Sequence, residues 1–536
     1  MFFKRIVALF LLVLVLLFTF TSCNFEGTKN TDNAQIQTNE IQTPSDISGE
    51  NSENQTEIDR DAHKDDNDDG KCDDCGISVL ISFDFYAIND LHGKFDDSSA
   101  QDGVDEMSTF LRNAYTTDEN AIFLSSGDMW QGSFESNATH GMIITEWMND
   151  LDFVSMTLGN HEYDWGEEYI EQNANAAEFP FLAINIFEKK TNERVEYCES
   201  SVLIERDGMK IGIIGAIGDC YSSISGDKVE DVYFKTGKEL TALVKEEAQK
   251  LREEGADYIV YSIHDGYGKS IDAEGLSVRD EQISSYYDVS LSDGYVDLVF
   301  EGHSHMNYVL VDRHGVYHLQ NGGDNRGISH VEIKINFVNG NKVITEAEFV
   351  KSSEYSGYAD DPIVDKLLEK YADVVQKGQE ILGKNGTYRD ARYICQLVAD
   401  LYYEVGIERW GKTYDLALGG GFISVRSPKN IGVGDVKYSH LNTILPFDNQ
   451  LVLCSVKGKD LRSKFFETNN SNYYIAYGAY GEEIRNKIDP NATYYIVTDT
   501  YSSSYAYNNL TVVEYYDAGV YARDLVAEYI RAGLMK

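Results

Sequence analysis

An α/β fold in two successive units is what the order of apolar runs in this sequence predicts. Three observations carry that prediction. Between Val79 and His305, six short runs rich in Ile, Val and Phe each end in a polar turn. Helical patterns lie between several of them, as in Gly237 to Glu254, where Leu240, Leu243, Val244, Ala248 and Leu251 fall on one face. After residue 385 a second series of strand-like runs begins, reached through a helix.

Composition sets the outer limits. The chain has 536 residues, 42% of them hydrophobic and 12% aromatic, enough to bury large cores in at least two domains and too much for a disordered protein. Its formal net charge of -43 argues against nucleic-acid polymers and anionic membrane surfaces as partners, and in favour of bound cations. The same acidity favours a soluble monomer, and nothing in the sequence requires an oligomer.

The chain opens with "MFFKRIVALFLLVLVLLFTFTSC": Lys4 and Arg5, an apolar run from Ile6 to Phe20, and small residues up to Cys23. This pattern reads as a secretion signal over residues 1–23. Its end resembles the bacterial lipobox, which implies Cys23 as the lipidated N-terminus of the mature protein. The alternative is an uncleaved membrane anchor of similar length. On either reading the body is extracytoplasmic and membrane-anchored, at the cell surface or in the periplasm of a bacterium. No later segment is long and apolar enough to span a membrane.

Residues 24–78 are polar, acidic and nearly free of aromatics, which predicts a tether. Inside it "HKDDNDDGKCDDCG" sets Asp65, Asn67, Asp69 and Gly70 at the spacing of the first half of a calcium loop, while Gly76 stands where the closing glutamate belongs. Three readings stay open: a solvated acidic linker, calcium held by Asp65, Asn67 and Asp69, or a metal-binding knot through His63, Cys72 and Cys75. The four cysteines of the body, Cys198, Cys220, Cys395 and Cys454, are too scattered for a dense disulfide framework.

The six runs of residues 79–352 are "VLISFDFYAIND", "NAIFLSSGD", "FVSMTLGNHE", "KIGIIGAIGD", "DYIVYSIHDG" and "VDLVFEGHSH". In α/β sheets the functional turns gather at the carboxyl ends of the strands. These turns hold Asp90 and His92, Asp128, Asn160 and His161, His264, and His303 and His305. An Asp after a strand is ordinarily a turn residue and a lone His ordinarily structural. Five of the eleven histidines in such turns is a different matter. Carboxylate, amide and imidazole donors suit a pair of divalent transition metals better than a thiolate zinc site or an all-oxygen calcium site. A helix starting at Pro362, with Asp361 as N-cap, connects the domains over residues 353–384. Residues 385–536 form the second α/β domain, with "YDLALGGG", "LVLCSVKG" and "TYYIVTDTY" as strands.

The ordered set D-x-H, GD, GNHE, H, GHxH resembles the calcineurin-like metallophosphoesterases, and "NDLHG" with "GNHEYDWG" looks like their secreted 5'-nucleotidase and UDP-sugar hydrolase branch. The resemblance runs from about Val79 to the C-terminus. It implies a four-layer α/β/β/α sandwich with a second α/β substrate-binding domain that rotates to bring substrate to the metals. It further implies two divalent ions (Mn, Zn, Co, Fe or Mg), one held by Asp90, His92, Asp128 and His305, the other by Asp128, Asn160, His264 and His303. His161, oriented by Asp164, would serve the phosphate and leaving group, with a metal-activated hydroxide as nucleophile. Glu162 and Trp165 would be structural.

For the second domain, "LNTILPFDNQLV" implies Phe447 as one wall of a base-stacking clamp and Asn449 as a base contact, and "VTDTYSSSY" implies Tyr501 as the other wall. Arg389, Arg392 and Arg426 stand near the family's phosphate-binding arginines, but "NGGGIR" appears here as "LGGGFISVR" and the family's "GGDG" is absent. The expectation is a metal-dependent phosphoric ester hydrolase acting on a small-molecule phosphoester such as a nucleotide. UDP-sugars, cyclic nucleotides and other phosphoesters are the alternatives within that class. A catalytically silent nucleotide-binding surface lipoprotein is the alternative outside it.

Overall fold

The computed structural model describes residues 62–96, 103–266, 295–312, 314–426, 428–467, 471–477, 484–504, 509–517 and 519–535. The signal, Cys23 and most of the tether lie outside the described residues. Among the described residues no helix is long and apolar enough to cross a membrane.

All six apolar runs are strands. They belong to two six-stranded sheets whose members, in chain order, are Leu80–Ile88 (β1), Ile122–Ser125 (β2), Ser155–Thr157 (β3), Phe181–Leu182 (β4), Ser201–Arg206 (β5), Met209–Ile217 (β6), Tyr258–His264 (β7), Leu298–Glu301 (β8), Tyr308–Val311 (β9), Tyr317–Gln320 (β10), Gly327–Asn336 (β11) and Lys342–Lys351 (β12). The first sheet runs β12-β11-β1-β2-β3-β4 and the second β9-β10-β8-β7-β6-β5. Pairing is parallel through β1-β2-β3-β4 and β6-β7-β8-β10 and antiparallel at the outer strands.

The sheets pack face to face. Phe85 of β1 meets Tyr258 of β7 and Phe300 of β8, with ring centroids 5.9 and 6.4 Å apart. Helices cover the outer faces. Met107 and Leu111 of α1 (Asp105–Thr117) and Ile143, Ile144 and Trp147 of α2 (Met142–Asp150) join the core beyond the first sheet. Leu240, Val244, Ala248 and Leu251 of α3 (Gly237–Glu253) are buried against β6, β7 and β8. The result is the expected α/β/β/α sandwich.

The N-terminal segment folds earlier than a bare tether to residue 78 would. Asp65 is buried, and its carboxylate accepts N–H groups from Asp69, Gly70 and the Asn336 amide at 3.0, 3.1 and 2.6 Å. Asp68 accepts from Asn339 and Asn341 at 3.0 and 2.9 Å. A segment reading as linker by composition therefore docks through side-chain hydrogen bonds, which leave no hydrophobic periodicity. Because the Asp65 oxygens serve these donors, the carboxylate acts as the hub of its loop, and the calcium reading gains no support from it.

The connector is also less simple than one helix. Asp361 caps α4 (Pro362–Lys370) as expected, accepting the Ile363 N–H at 3.0 Å. The helix breaks at Tyr371 and resumes as α5 (Ala372–Gly378). At the break, the Lys370 ammonium and Tyr371 hydroxyl both bind Glu146 of α2, at 2.6 and 2.9 Å, which holds the chain to the sandwich.

The C-terminal domain is built on a mixed five-stranded sheet of Leu416–Phe422 (β13), Leu451–Lys457 (β14), Tyr473–Tyr477 (β15), Thr493–Asp499 (β16) and Thr511–Tyr515 (β17), in the order β15-β13-β16-β14-β17. The three predicted strands are its centre. Helix α6 (Ala391–Trp410) is the longest described and buries Ile394, Val398, Leu401, Tyr402 and Val405.

Candidate active site

The site begins with backbone conformation. Asp90, His92, Asp128, His303 and His305 have φ values of 50°, 51°, 56°, 69° and 53°, in the left-handed region that L-residues seldom occupy. Each costs on the order of 1–3 kcal/mol, which the surrounding fold must offset. The turns after β1, β2 and β8 therefore point their side chains inward at a price in local strain. Gly159 allows the close approach, since a Cβ there would run into Asp128 Oδ1.

The seven sequence-derived donors converge. His305 Nε2 lies 3.1 Å from both Asp90 Oδ1 and His92 Nε2, and His264 Nε2 lies 3.1 Å from Asp128 Oδ2. Ligand-type atoms of Asp90, His92 and His305, and those of Asp90, Asp128 and His264, lie within 4.8 Å of one another. The His303 N–H donates to Asp90 Oδ2 at 2.8 Å, and the His161 N–H to Asp128 Oδ1 at 2.8 Å.

Second partners fix the rings. His92 Nδ1 donates to the Gln131 carbonyl at 2.8 Å and His264 Nδ1 to the Ser126 carbonyl at 2.6 Å, so each ring turns its Nε2 to the cluster. Asn160 Oδ1 is buried without a hydrogen-bond partner, and Asp90 Oδ1 and His264 Nε2 meet only cluster side chains, His305 and Asp128. Buried polar atoms of native proteins are ordinarily satisfied, and a cation satisfies this set of carboxylate, amide and imidazole acceptors. The residues fit divalent metal.

Electrostatics agree with an ionised cluster. Burial would raise the Asp128 carboxyl, but the His264 and His161 imidazoles hold it well below the usual carboxylate range. Glu162 is pushed up to about 7, first by burial and then by Asp128. Its carboxylate accepts the backbone N–H groups of Asp128, Met129 and Gly159 at 2.9, 2.8 and 2.7 Å, tying two ligand turns together. Sequence reasoning placed Glu162 as structural, and this is how it acts.

Above the cluster lies a cavity of about 820 Å³ between the sandwich and the C-terminal domain. His161 faces it, with Nδ1 donating to Asp164 Oδ2 at 2.8 Å. Arg426 reaches across from the C-terminal domain and donates to His161 Nε2. The Phe447 ring stacks on His161 at 5.9 Å, and the Arg426 guanidinium sits 5.5 Å over Phe447. Asn449 and Tyr501 also line the cavity.

Two of the substrate residues are not in it. Arg389 lies 4.2 Å over the Tyr393 ring and Arg392 is exposed. The Asp390 carboxylate accepts the Tyr393 N–H at 2.9 Å, so α6 starts at Ala391 and turns Ala391, Cys395, Val398 and Tyr402 to the cavity. Arg392 falls off that face. Sequence reasoning also missed Phe422, whose ring lies 5.7 Å from Tyr501, and Lys94, whose ammonium is 3.8 Å from Asp324 at the cavity wall. Phe422 had a signal: it follows three glycines in the segment that departs from "NGGGIR".

Comparison with known proteins agrees with the geometry. Residues 83–307 match the family model for calcineurin-like phosphoesterases. Protein UshA of Yersinia enterocolitica is 24% identical over 508 residues, 82% of this chain and 89% of that protein. A 5'-nucleotidase of Diplobatis ommata is 23% identical over 416 residues, 70% of this chain and 69% of that one. Among solved structures, a 5'-nucleotidase precursor from Thermus thermophilus shares the fold with a TM-score of 0.64 at 18% identity, over 84% of this chain and 96% of that one.

Proposed function

We propose that this chain, a hydrolase carrying a calcineurin-like phosphoesterase domain and related to 5'-nucleotidases, removes phosphate from nucleotides with two divalent metal ions, outside the cytoplasm. The observation that carries the reading is the buried cluster of acceptors directly beneath a His161–Asp164 pair that faces a large, aromatic-lined cavity.

In this reading Asp90, His92, Asp128 and His305 hold one ion and Asp128, Asn160, His264 and His303 the other, with Asp128 common to both. Bound ions would supply charge neutralisation for the phosphoryl oxygens and a lowered pKa for the attacking water. Asp164 fixes the His161 ring so that Nε2 faces the cavity, placed to serve the leaving oxygen as a proton donor. Arg426 already points where a phosphoryl group beside His161 would sit, and its charge suits that anion. Phe447 and Tyr501, with Phe422 beside Tyr501, offer flat faces to a base. Extracytoplasmic anchoring rests on the N-terminal pattern ending at Cys23.

The test is phosphate release from AMP, UDP-glucose, a cyclic nucleotide and an aryl phosphate, after chelation and re-addition of Mn, Co, Zn or Mg. We expect turnover to vanish on chelation, to return with metal, and to favour AMP. Turnover of the aryl phosphate alone would discard the nucleotide clamp. Failure of every metal and substrate, with nucleotide binding retained, would favour the silent binding lipoprotein.

A further inference from the structure

The second concentration of metal-ligand chemistry lies far from the cavity, in the folded segment that precedes β1. Its chain doubles back on itself: the Cys72 N–H donates to the Ile77 carbonyl at 2.8 Å, the Gly76 N–H to the Cys72 carbonyl at 2.7 Å, and the Asp73 N–H to the Lys64 carbonyl at 2.8 Å. Lys71 and Ser78 pair as an antiparallel bridge, and the His63 ring packs edge-on against Phe337, with centroids 5.8 Å apart. This fold brings ligand-type atoms of His63, Cys72 and Cys75 within 4.8 Å of one another. His63 Nδ1 is 3.6 Å from Cys75 Sγ. Both cysteines are free thiols, Cys72 buried and Cys75 exposed. The Cys72 sulfur also accepts the backbone N–H groups of Lys64 and Cys75, which orient it and suit a thiolate.

We infer that His63, Cys72 and Cys75 form a second, independent metal site for a zinc-class ion, which clasps the start of the folded body where the N-terminal segment enters it. Two thiolates and an imidazole, two of them in C-x-x-C spacing, are the borderline-soft donors that select zinc over calcium or magnesium. Of the neighbouring carboxylates, Asp65 serves backbone and amide donors and Asp73 accepts the Asp66 N–H at 2.7 Å. Binding of the ion displaces the proton of whichever ligand sulfur is still a thiol. Three protein donors leave the fourth position to solvent, which Cys75 faces. The site lies beyond the first residue of β1 and the catalytic donors beyond its last, so a nine-residue strand, roughly 30 Å, separates them.

Cobalt(II) added to the full-length, reduced protein reads the site directly, because thiolate ligation gives a charge-transfer band in the near ultraviolet that oxygen and imidazole ligands do not. The catalytic cluster has one nearby thiol, Cys220, which donates to the His264 carbonyl at 2.8 Å, so Cys220→Ser is the control. We expect the band in the wild type and in Cys220→Ser, its loss in Cys72→Ser/Cys75→Ser, and its displacement by zinc. Zinc should also slow tryptic cleavage at Lys64 and Lys71 in the wild type and in Cys220→Ser, but not in Cys72→Ser/Cys75→Ser. Phosphate release from AMP should be the same for wild type and Cys72→Ser/Cys75→Ser, so a failure of the nucleotidase reading leaves this test intact. Absence of the band from the reduced wild type overturns the inference, whether the thiols prove to be an unreactive pair or a disulfide that re-forms. So does a band that survives in Cys72→Ser/Cys75→Ser.

Discussion

At the scale of single residues, His161 and Glu162 are adjacent in sequence and opposite in role. His161 turns to the cavity and Glu162 into the protein, where it holds three backbone N–H groups. His161→Ala should lower kcat by roughly 10²–10⁴ while binding of a non-hydrolysable nucleotide changes little, as titration calorimetry would show. Glu162→Ala should behave differently. It orphans three buried donors at about 1–3 kcal/mol each, so thermal unfolding should move to clearly lower temperature, and Glu162→Gln should recover part of the loss. A Glu162→Ala variant as stable as wild type would remove it from the scaffold. The metal donors were legible because each follows an apolar run directly, and a residue after a strand has its position set by the sheet. Arg392 falls outside the cavity because one N-cap, Asp390, decides which face of α6 meets it, and Arg389, before that cap, pairs with Ile431 in a short two-stranded ladder.

At the scale of elements, the strands that carry the site were readable throughout, since fully buried parallel strands such as β7 are continuous apolar runs. The strands β12 and β17 were not, because exposed strands mix polar residues into the pattern, and β11, though buried, carries Ser329, His330, Glu332 and Lys334. The connector was read as one helix because its periodicity continues through Tyr371. The break comes from tertiary contacts with Glu146 that sequence periodicity does not contain. Asp361 also binds Arg112 of α1, which reaches on to Asp150. Asp361→Ala should therefore cost more than the ~1 kcal/mol of a cap alone, and Asp361→Asn, which keeps the cap but not the charge, should fall between it and wild type in chemical denaturation.

At the scale of the whole molecule, the two domains meet around the cavity through ring contacts, His161 with Phe447 and Phe134 with Tyr438, and through polar ones. The Asn137 amide donates to Asn442 at 2.8 Å, and the Ser225 and Ser504 hydroxyls are 3.4 Å apart. If turnover needs the C-terminal domain to rotate, a covalent link at the second contact should stop it. Ser225→Cys/Ser504→Cys is expected to lose turnover on oxidation and regain it on reduction, with each single variant unaffected. Full activity in the oxidised double variant would rule out that motion. The two metal-ligand clusters differ in how far the chain must travel to close them. His63, Cys72 and Cys75 come from one short loop, whereas the catalytic donors run from Asp90 to His305 and need both sheets in register. Loop-closure entropy and contact order therefore separate the two in time: the clasp can close as soon as its own loop is made, while the catalytic cluster exists only once the sandwich is finished. A chain truncated before β8 would keep His63, Cys72 and Cys75 on one loop but lose Asn336 and Phe337, against which that loop docks, and with His303 and His305 gone it could never assemble the phosphoesterase centre.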